Sequence, residues 1–276
     1  MRIKGEISLP GDKSISHRAL MFASLTDGEC VIHNISTGED VESTRKCLAE
    51  CDIQSVKSGN TVRIKGGVFS NPVKPLNCGN SGTAIRLLAG LLAGKRITAE
   101  FTGDDSLAKR PMSRIIDPLT EMGVVIESIN GHIPFTIKPK ELNGISFVPS
   151  VASAQVKSCI MLAGLCAIGQ TVIDENVKTR DHSEIISKEL GAPVSSNGTI
   201  SINPLSRPLQ PFEINVPGDP SSAAFFAAAA ALIPNSSITI KNVLANPTRI
   251  GFFQVLKKMG GGVEWQNMRK ECGESV

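Results

Sequence analysis

Residues 11–34 read GDKSISHRALMFASLTDGECVIHN. A turn of small polar residues opens an apolar helix, a short polar break follows, and a strand of β-branched residues ends the unit. The same order recurs in GNSGTAIRLLAGLLAGKRITAEF from Gly79, SAQVKSCIMLAGLCAIGQTVI from Ser153 and GDPSSAAFFAAAAALIPNSSITI from Gly218. Because these starts fall roughly 70 residues apart, the sequence predicts an internal repeat.

A second, more amphipathic helix and further strand material follow the first three of these segments. Their last two strands are predicted to form hairpins, since Ser58-Gly59-Asn60, Asn130-Gly131 and Asn197-Gly198 supply residues that accept a positive φ. These patterns predict βαβαββ units and an α/β fold. The fourth copy ends in QNMRKECGESV, residues 266–276, and we expect no second hairpin strand there, which indicates a C-terminally truncated chain.

Composition limits the class of protein. The 276 residues are 41% hydrophobic and 20% charged, which is typical of a globular protein. Twenty-nine Lys and Arg against 26 Asp and Glu give a net charge of +3, and with one Trp and no Tyr this disfavours a nucleic-acid-binding or scaffold protein. The opening MRIKGEISL contains charges and no secretory apolar stretch, so we expect a cytoplasmic protein without membrane contact.

The cysteines and histidines suggest neither a metal site nor a nucleophile. Seven cysteines are scattered without a CxxC pair, so reduced thiols are expected. Cys47 and Cys51 are placed to share a helix face as metal ligands, but no histidine lies close in sequence, and we interpret them as core residues and predict no metal. The histidines occur in no GxSxG context. His17 lies between Lys13 and Arg18, whose charges should disfavour its protonation.

The helix openings combine capping residues with cations. Capping alone is sufficient to explain Asp219 and Pro220 in the fourth opening. The other three carry basic residues within a turn or two of the cap, and a fourth basic cluster precedes Pro111: Lys13, Arg18, Arg86, Lys157, Lys109 and Arg110. Helix N-termini favour anions, so these openings together predict sites for the phosphate or carboxylate groups of a small acidic substrate. The segment PGDKS lacks the glycine spacing of a nucleotide phosphate loop, and no GxGxxG motif follows a predicted strand. The sequence therefore does not support binding of a nucleotide or a dinucleotide.

The segments LPGDKSISHRAL, GNSGTAIRLLAG, AKRPM, SAQVKS and GDPSSAAFF match, in order and spacing, the motifs of one family. The chain resembles the 5-enolpyruvylshikimate-3-phosphate synthases, the 3-phosphoshikimate 1-carboxyvinyltransferases. This resemblance implies the inside-out α/β barrel of the enolpyruvyl transferases, built from βαβαββ repeats. It implies one complete three-repeat domain, residues 11–216, and an incomplete second domain, residues 1–10 and 217–276, whose remaining repeats are missing.

The resemblance also implies a reaction. The enolpyruvyl group of phosphoenolpyruvate passes to the 5-hydroxyl of shikimate 3-phosphate through a tetrahedral intermediate that loses phosphate, a step of chorismate and aromatic amino acid biosynthesis. It implies no metal and no organic cofactor. The implied partners are the two small-molecule substrates, without nucleic acid or membrane, and we expect the full-length parent to be monomeric.

The resemblance also implies roles for the residues of this chain that match the family's motifs. Lys13 resembles a lysine that contacts both substrates and assists proton transfer, and it is the one residue expected to be catalytic. The residues expected to bind substrate are Lys13, Ser14, Arg18, Asn80, Gly82, Arg110, Ser153, Ala154, Gln155 and Arg180. Of these, Gly82 and Arg110 resemble phosphoenolpyruvate contacts, and Gln155 reaches both ligands. Gly82 also resembles the glyphosate-sensitive form of the family.

Some family features are missing, and alternatives stay open. The acidic general base and the later Arg and Lys contacts should lie beyond Val276, so we expect the chain to be inactive alone. The nearest alternative is a UDP-N-acetylglucosamine enolpyruvyl transferase, although the DKSxSHR and NSGTxxR forms favour the shikimate enzyme. The second alternative is a binding-only half-enzyme module, which retains the contacts to shikimate 3-phosphate but does not catalyse turnover. We also expect the Ala-rich helix after Ser221 to expose apolar surface.

Overall fold

The computed structural model describes residues 2–276, in which helices and strands alternate. The helices are α1 Lys13–Ser24, α2 Glu39–Glu50, α3 Gly82–Gly94, α4 Asp105–Ala108, α5 Ser113–Glu121, α6 Ala154–Gly164, α7 His182–Glu189, α8 Pro220–Leu232 and α9 Gly251–Lys258. The strands are β1 Lys4–Ser8, β2 Glu29–His33, β3 Ser55–Ser58, β4 Thr61–Lys65, β5 Leu76–Asn77, β6 Ala99–Thr102, β7 Val124–Ile129, β8 His132–Pro139, β9 Ser146–Phe147, β10 Thr171–Ile173, β11 Val194–Asn197, β12 Thr199–Ile202, β13 Glu213–Asn215, β14 Ser237–Lys241, β15 Lys270–Glu271 and β16 Glu274–Ser275. None of the helices in this part of the chain is both long enough and apolar enough to cross a membrane.

Three four-stranded sheets repeat one topology. Their strand orders are β13-β2-β4-β3, β5-β6-β8-β7 and β9-β10-β12-β11. In each sheet the first two strands are parallel and the last two pairs are antiparallel. The predicted repeat is therefore confirmed, with one feature that the sequence did not reveal. The leading strand of the first sheet is β13, in which Ile214 pairs with Ile32, while β1 pairs with β14 instead.

The hairpin turns were predicted correctly. β3-β4, β7-β8 and β11-β12 are antiparallel pairs. Gly59, Asn130, Gly131 and Gly198 have φ values of 58°, 53°, 68° and 89°. Only residues tolerant of the left-handed region close turns this tight, which is why Asn and Gly occur there.

The end of the fourth copy differs from the expectation. Residues 270–275 form a further hairpin, β15-β16, as a separate two-stranded sheet. Its turn places Cys272 and Gly273 at φ values of 48° and 76°. The hairpin folds back on the chain, because the Ala245 N–H donates to the carbonyl oxygen of Ser275 at 2.7 Å. A cysteine is an unusual residue at a positive φ, so this turn is hard to predict from the sequence.

The main core surrounds three helices. α1, α3 and α6 are buried along most of their length, and α3 packs against both of the others. Helix α3 is apolar on nearly all faces, as expected of an interior helix, and all three helices are covered by the repeated sheets and by the amphipathic helices α2, α5 and α7. This packing brings the N-terminal ends of helices from different repeats together.

The helix α8 has a different environment. Only Pro220 and Ala223 are buried, whereas the side chains of Phe225 and Leu232 are 79% and 82% exposed. The exposed apolar surface expected after Ser221 is therefore confirmed. A second, small cluster of buried residues, centred on Ala223 and Phe253, lies beside it. The division of the chain into residues 11–216 and the flanking segments stays a prediction.

Candidate anion-binding site

The helix openings are capped as the sequence indicated. Asp12 caps α1, accepting from the Ile15 N–H at 2.9 Å. Ser81 caps α3 by accepting from Ala84 at 3.1 Å, and Ser153 caps α6 by accepting from Val156 at 3.4 Å. The other first-turn N–H groups of such a helix have no partner within the helix, so each opening favours an anion.

The second and third openings meet through side chains. Arg86, one turn into α3, donates from Nη1 to Gln155 Oε1 at 2.5 Å. The amide of Gln155 donates in turn to Thr83 Oγ1 at 2.9 Å. Arg86 also donates to the carbonyl oxygen of Pro111 at 3.3 Å. The sequence identifies Arg86 only as a cation near a cap, although its position four residues after Gly82 puts both on one helix face.

Two guanidinium groups flank Gly82. A Cβ at this position would lie 3.1 Å from Nη1 of Arg86 and 3.1 Å from Nη1 of Arg110. Arg110 is held by Asn80, whose Oδ1 accepts from Nη2 at 2.5 Å. Burial lowers the pKa of Arg86, and the positive charges of Arg110 and Arg114 lower it further. Like charges this close disfavour one another unless an anion is added, so the arrangement is suited to a phosphate or carboxylate.

Arg18 connects the first repeat with the third. Its guanidinium is buried and donates to Ser183 Oγ at 2.7 Å, to Ser158 Oγ at 2.6 Å and to the carbonyl oxygen of Ser14 at 2.9 Å. Burial lowers the pKa of Arg18 to about 10, which leaves it charged at neutral pH. Three of its five N–H donors are thus already used within the protein.

The remaining predicted ligand residues lie at the surface around these groups. Lys13 is half exposed and pairs with Asp40 at 2.9 Å. Arg180, taken as a whole residue, is exposed, and partial desolvation together with the charge of Arg249 lowers the pKa of its guanidinium. Ala154 and Ser14 are partly exposed in the first turns of α6 and α1. Among residues 2–276 no group of three His, Cys, Asp or Glu side chains is placed to hold a metal ion.

Lys157 lies in the interior and does not face the groups around Gly82 that are suited to an anion. Its side chain is fully buried, and Nζ pairs with Glu175 at 2.9 Å and with Glu184 at 2.6 Å. The expectation that this cation at the third opening helps to bind an anion is therefore wrong. Two carboxylates supplied by residues later in the sequence neutralise it, and a helix-opening pattern contains no sign of them.

His17 is neutral for a reason that the sequence identified only in part. Burial is the main cause that lowers its pKa, to about 3, and the charges of Arg18 and Lys13 act in the same direction. Its Nδ1 lies 2.7 Å from Thr44 Oγ1, and its Nε2 is buried without a partner. The imidazole is therefore held neutral over the physiological pH range.

Replacing His17 with asparagine should make the protein less sensitive to acid. The unfolded chain takes up a proton at His17 near pH 6.5, but the folded chain does so only near pH 3. Titration of His17 should consequently lower the free energy of unfolding by about 1.4 kcal/mol per pH unit as the pH falls from 6.5 toward 3. Above pH 6.5 this group should make no such difference. Urea unfolding at pH 7 and pH 5 should show a smaller loss in His17→Asn, since Asn retains a group that can bond Thr44. An equal loss in both proteins would contradict the assignment.

Comparison with known proteins gives one consistent result. A family model for EPSP synthase (3-phosphoshikimate 1-carboxyvinyltransferase) matches residues 1–274. The 3-phosphoshikimate 1-carboxyvinyltransferase of Thermoanaerobacter sp. (strain X514) is 47% identical over 278 residues, covering 99% of this chain and 66% of that relative. The enzyme of that name from Ruthia magnifica subsp. Calyptogena magnifica is 45% identical and covers 99% of this chain and 63% of its own length.

Solved structures agree with these sequences. An EPSP synthase from Acinetobacter baumannii superimposes with a TM-score of 0.93 at 38% identity, covering 100% of this chain and 63% of that one. This similarity confirms the inside-out α/β fold predicted from the sequence. The chain spans about two thirds of the length of the curated relatives it matches.

Proposed function

Because this chain belongs to the EPSP synthase family, we propose that its helix openings bind shikimate 3-phosphate and phosphoenolpyruvate for enolpyruvyl transfer. In this reaction the 5-hydroxyl of shikimate 3-phosphate adds to the enol double bond, and loss of phosphate from the tetrahedral intermediate restores it. The observation that carries the proposal is the pair of guanidinium groups, Arg86 and Arg110, on either side of Gly82. Both substrates are polyanions, which such a pair binds well.

Each residue predicted to bind substrate then has a proposed role in the reaction. Lys13 is the exposed cation at the α1 opening, free to leave Asp40 for a substrate and to assist proton transfer. Ser14 and Arg18, with Ser153, Ala154 and Gln155, bind shikimate 3-phosphate, and Arg180 adds a cation for its phosphate. Asn80 holds Arg110 toward phosphoenolpyruvate. No residue among those described is assigned a metal or an organic cofactor in this reaction.

The proposal extends to organisation and location. Residues 11–216 form a domain with three repeats, and residues 1–10 and 217–276 belong to a second one. Support comes from the two separate clusters of buried apolar residues, one running from Ile15 to Val216 with Leu244 and one around Ala223. All seven cysteines are free, as a protein of the reducing cytoplasm requires.

Titration with shikimate 3-phosphate tests the proposal. Calorimetry on the purified chain should give saturable binding, with shikimate, which lacks the phosphate, binding far more weakly. Arg86→Met should weaken binding about tenfold or more, because it releases Gln155. Arg96→Met is the matched control, since Arg96 follows the opposite end of α3 and pairs with Glu141 at the surface.

The other outcomes are informative. A folded chain that does not bind shikimate 3-phosphate would contradict the proposal. Preferential binding of UDP-N-acetylglucosamine would favour the related transferase. Phosphate release after adding phosphoenolpyruvate would contradict the expectation that this chain is inactive alone.

Gly82→Ala should separate inhibitor binding from substrate binding. The added methyl group would meet the ends of two flexible side chains, Arg86 and Arg110, so stability should change by less than about 1 kcal/mol. Those guanidinium groups must shift, so glyphosate affinity should fall about tenfold or more, with a smaller change for shikimate 3-phosphate. Parallel calorimetric titrations measure both, and equal losses for the two ligands would contradict the prediction.

A further inference from the structure

The tripeptide Pro-Gly-Asp occurs twice, at residues 10–12 and 217–219, and the two copies lie against each other. Gly11 and Gly218 form an antiparallel bridge. The N–H of each aspartate donates to the proline carbonyl of the other copy, Asp12 to Pro217 at 2.7 Å and Asp219 to Pro10 at 3.1 Å. The two copies are therefore related by an approximate local twofold axis, and we call this paired unit the PGD crossing.

Each aspartate of the PGD crossing also begins a helix. Asp12 caps α1, and Asp219 caps α8 by accepting from the Ser221 N–H at 2.8 Å. The two carboxylates thus lie close together, with Asp12 completely buried and Asp219 only 17% exposed. Two buried carboxylates this close repel each other unless a cation lies between them.

Arg249 is that cation. Its Nη1 donates to Asp12 Oδ2 at 2.5 Å, and its Nη2 donates to Asp219 Oδ1 at 3.1 Å. The side chain is 4% exposed. One planar guanidinium thus joins the caps of two helices that belong to different repeats, a geometry that the point charge of a lysine does not reproduce.

Arg249 is also in contact with a second group of side chains, which begins at His182. His182 Nε2 lies 3.4 Å from Nη1, and His182 Nδ1 lies 2.6 Å from Glu274 Oε1. Asn246 donates to Glu274 at 2.8 Å and to Asp181 at 2.8 Å. Arg249 therefore cannot shift without disturbing the third repeat and the C-terminal hairpin.

The PGD crossing adjoins the proposed ligand residues. Lys13 follows Asp12 directly, and its N–H lies 3.5 Å from Asp219 Oδ2. Ser14 is the next residue along α1. A displacement of the α1 cap would move both, and a shift of about 1 Å at a binding group is sufficient to reduce its effect greatly.

We propose that Arg249 is a positioning residue, which locks the PGD crossing and thereby holds Lys13 and Ser14 in place for the anionic substrate. The inference rests on the proposed function for its ligand, but the lock itself is a separate structural property. Arg249 touches no substrate in this account and acts through Asp12 and Asp219.

The test combines ligand binding with amide hydrogen exchange on the full chain. Arg249→Met should weaken shikimate 3-phosphate binding about tenfold, measured well below the unfolding temperature. It should also speed exchange in residues 9–14 and 217–221 while leaving the hairpins of the three repeats unchanged. Arg249→Lys should recover part of the affinity, since it restores the charge but not both hydrogen bonds. Arg63→Met is the control, because Arg63 is an exposed arginine that pairs with Glu29 at the surface of the first sheet and should change neither readout.

Three results would overturn the proposal. These are unchanged affinity in Arg249→Met, uniformly faster exchange throughout the chain, or no recovery in Arg249→Lys. If Arg249→Met does not fold, Asp219→Asn removes the negative charge from one of the two contacts but keeps an oxygen that can accept the Ser221 N–H, and it should give smaller changes in the same direction. If the unaltered chain fails to bind shikimate 3-phosphate, the proposed function fails, and the exchange measurement still decides whether Arg249 locks the crossing.

Discussion

Replacing Lys157 with methionine should lower the free energy of unfolding by about 3–5 kcal/mol. Lys157 is fully buried and is the common partner of Glu175 and Glu184. Its removal leaves two carboxylates facing each other in the interior, and one oxygen of Glu184 already lacks a hydrogen-bond partner. Urea unfolding followed by circular dichroism measures the loss.

The pH dependence of this loss identifies its cause. Burial raises the pKa of Glu184, and the charge of Lys157 opposes this effect. Without Lys157 the pKa should rise further, so the folded variant should take up a proton above pH 4.5, where the unfolded chain does not. The stability deficit should therefore shrink as the pH falls from 8 toward 5. Adding Glu184→Gln to the variant should recover part of the loss at pH 8.

An exposed ion pair provides the comparison. Lys138 pairs with Glu127 at 2.5 Å, and both side chains are about half exposed. Lys138→Met removes the same kind of charge but should cost less than about 1 kcal/mol. Equal effects of Lys157→Met and Lys138→Met would show that burial of the Lys157 cluster contributes nothing.

Gly90→Ala should destabilise the protein by about 3 kcal/mol, although alanine favours a helix by about 1 kcal/mol over glycine. Gly90 lies in α3, where the backbone of α6 comes close. A Cβ at position 90 would overlap the carbonyl oxygen of Cys159 and lie 2.7 Å from its carbonyl carbon. The obstacle is backbone, so no side-chain rotation relieves it, and the two helices must separate.

Gly94→Ala is the matched control for this prediction. Gly94 is one turn further along α3, and its added Cβ would lie 3.1 Å from Cys166 Cβ and 3.2 Å from the Ala163 carbonyl oxygen. Its stability should change by less than about 1 kcal/mol. Gly90→Ala should also weaken shikimate 3-phosphate binding more than Gly94→Ala does, because separation of the helices pulls Arg86 from Gln155. Retained stability in Gly90→Ala would show that the helices can move apart at little cost.

Local features of the fold were predictable from sequence. A serine or aspartate before an apolar run marks a helix start, and Ser153 and Asp219 lie at the caps. An Asn-Gly pair between strands marks a hairpin, as at Asn130. In these cases the residues that determine the structure are neighbours in the chain, so their pattern is visible without knowledge of the fold.

Contacts between distant residues were not predictable in this way. Arg86 and Gln155 are 69 residues apart, and Arg249 and Asp12 are 237 apart. A cation near a helix opening looks the same in the sequence whether it faces a ligand, as proposed for Lys13, or a buried carboxylate, as Lys157 does. One signal was present, since the repeated Pro-Gly-Asp pointed to two equivalent helix starts without showing that they touch.

The pairing of β13 with β2 has a consequence for how the protein is made. The ribosome completes β2 first and delivers Glu213, the partner of Val31, 182 residues later. At ordinary elongation rates of about 5–20 residues per second, this takes about 10–40 s. Throughout that time one edge of the first sheet has no partner and can pair with another nascent chain. The first repeat to be synthesised is therefore the last of the three to obtain all its strands. The exposed edge of β2 is covered only after the third repeat has been synthesised.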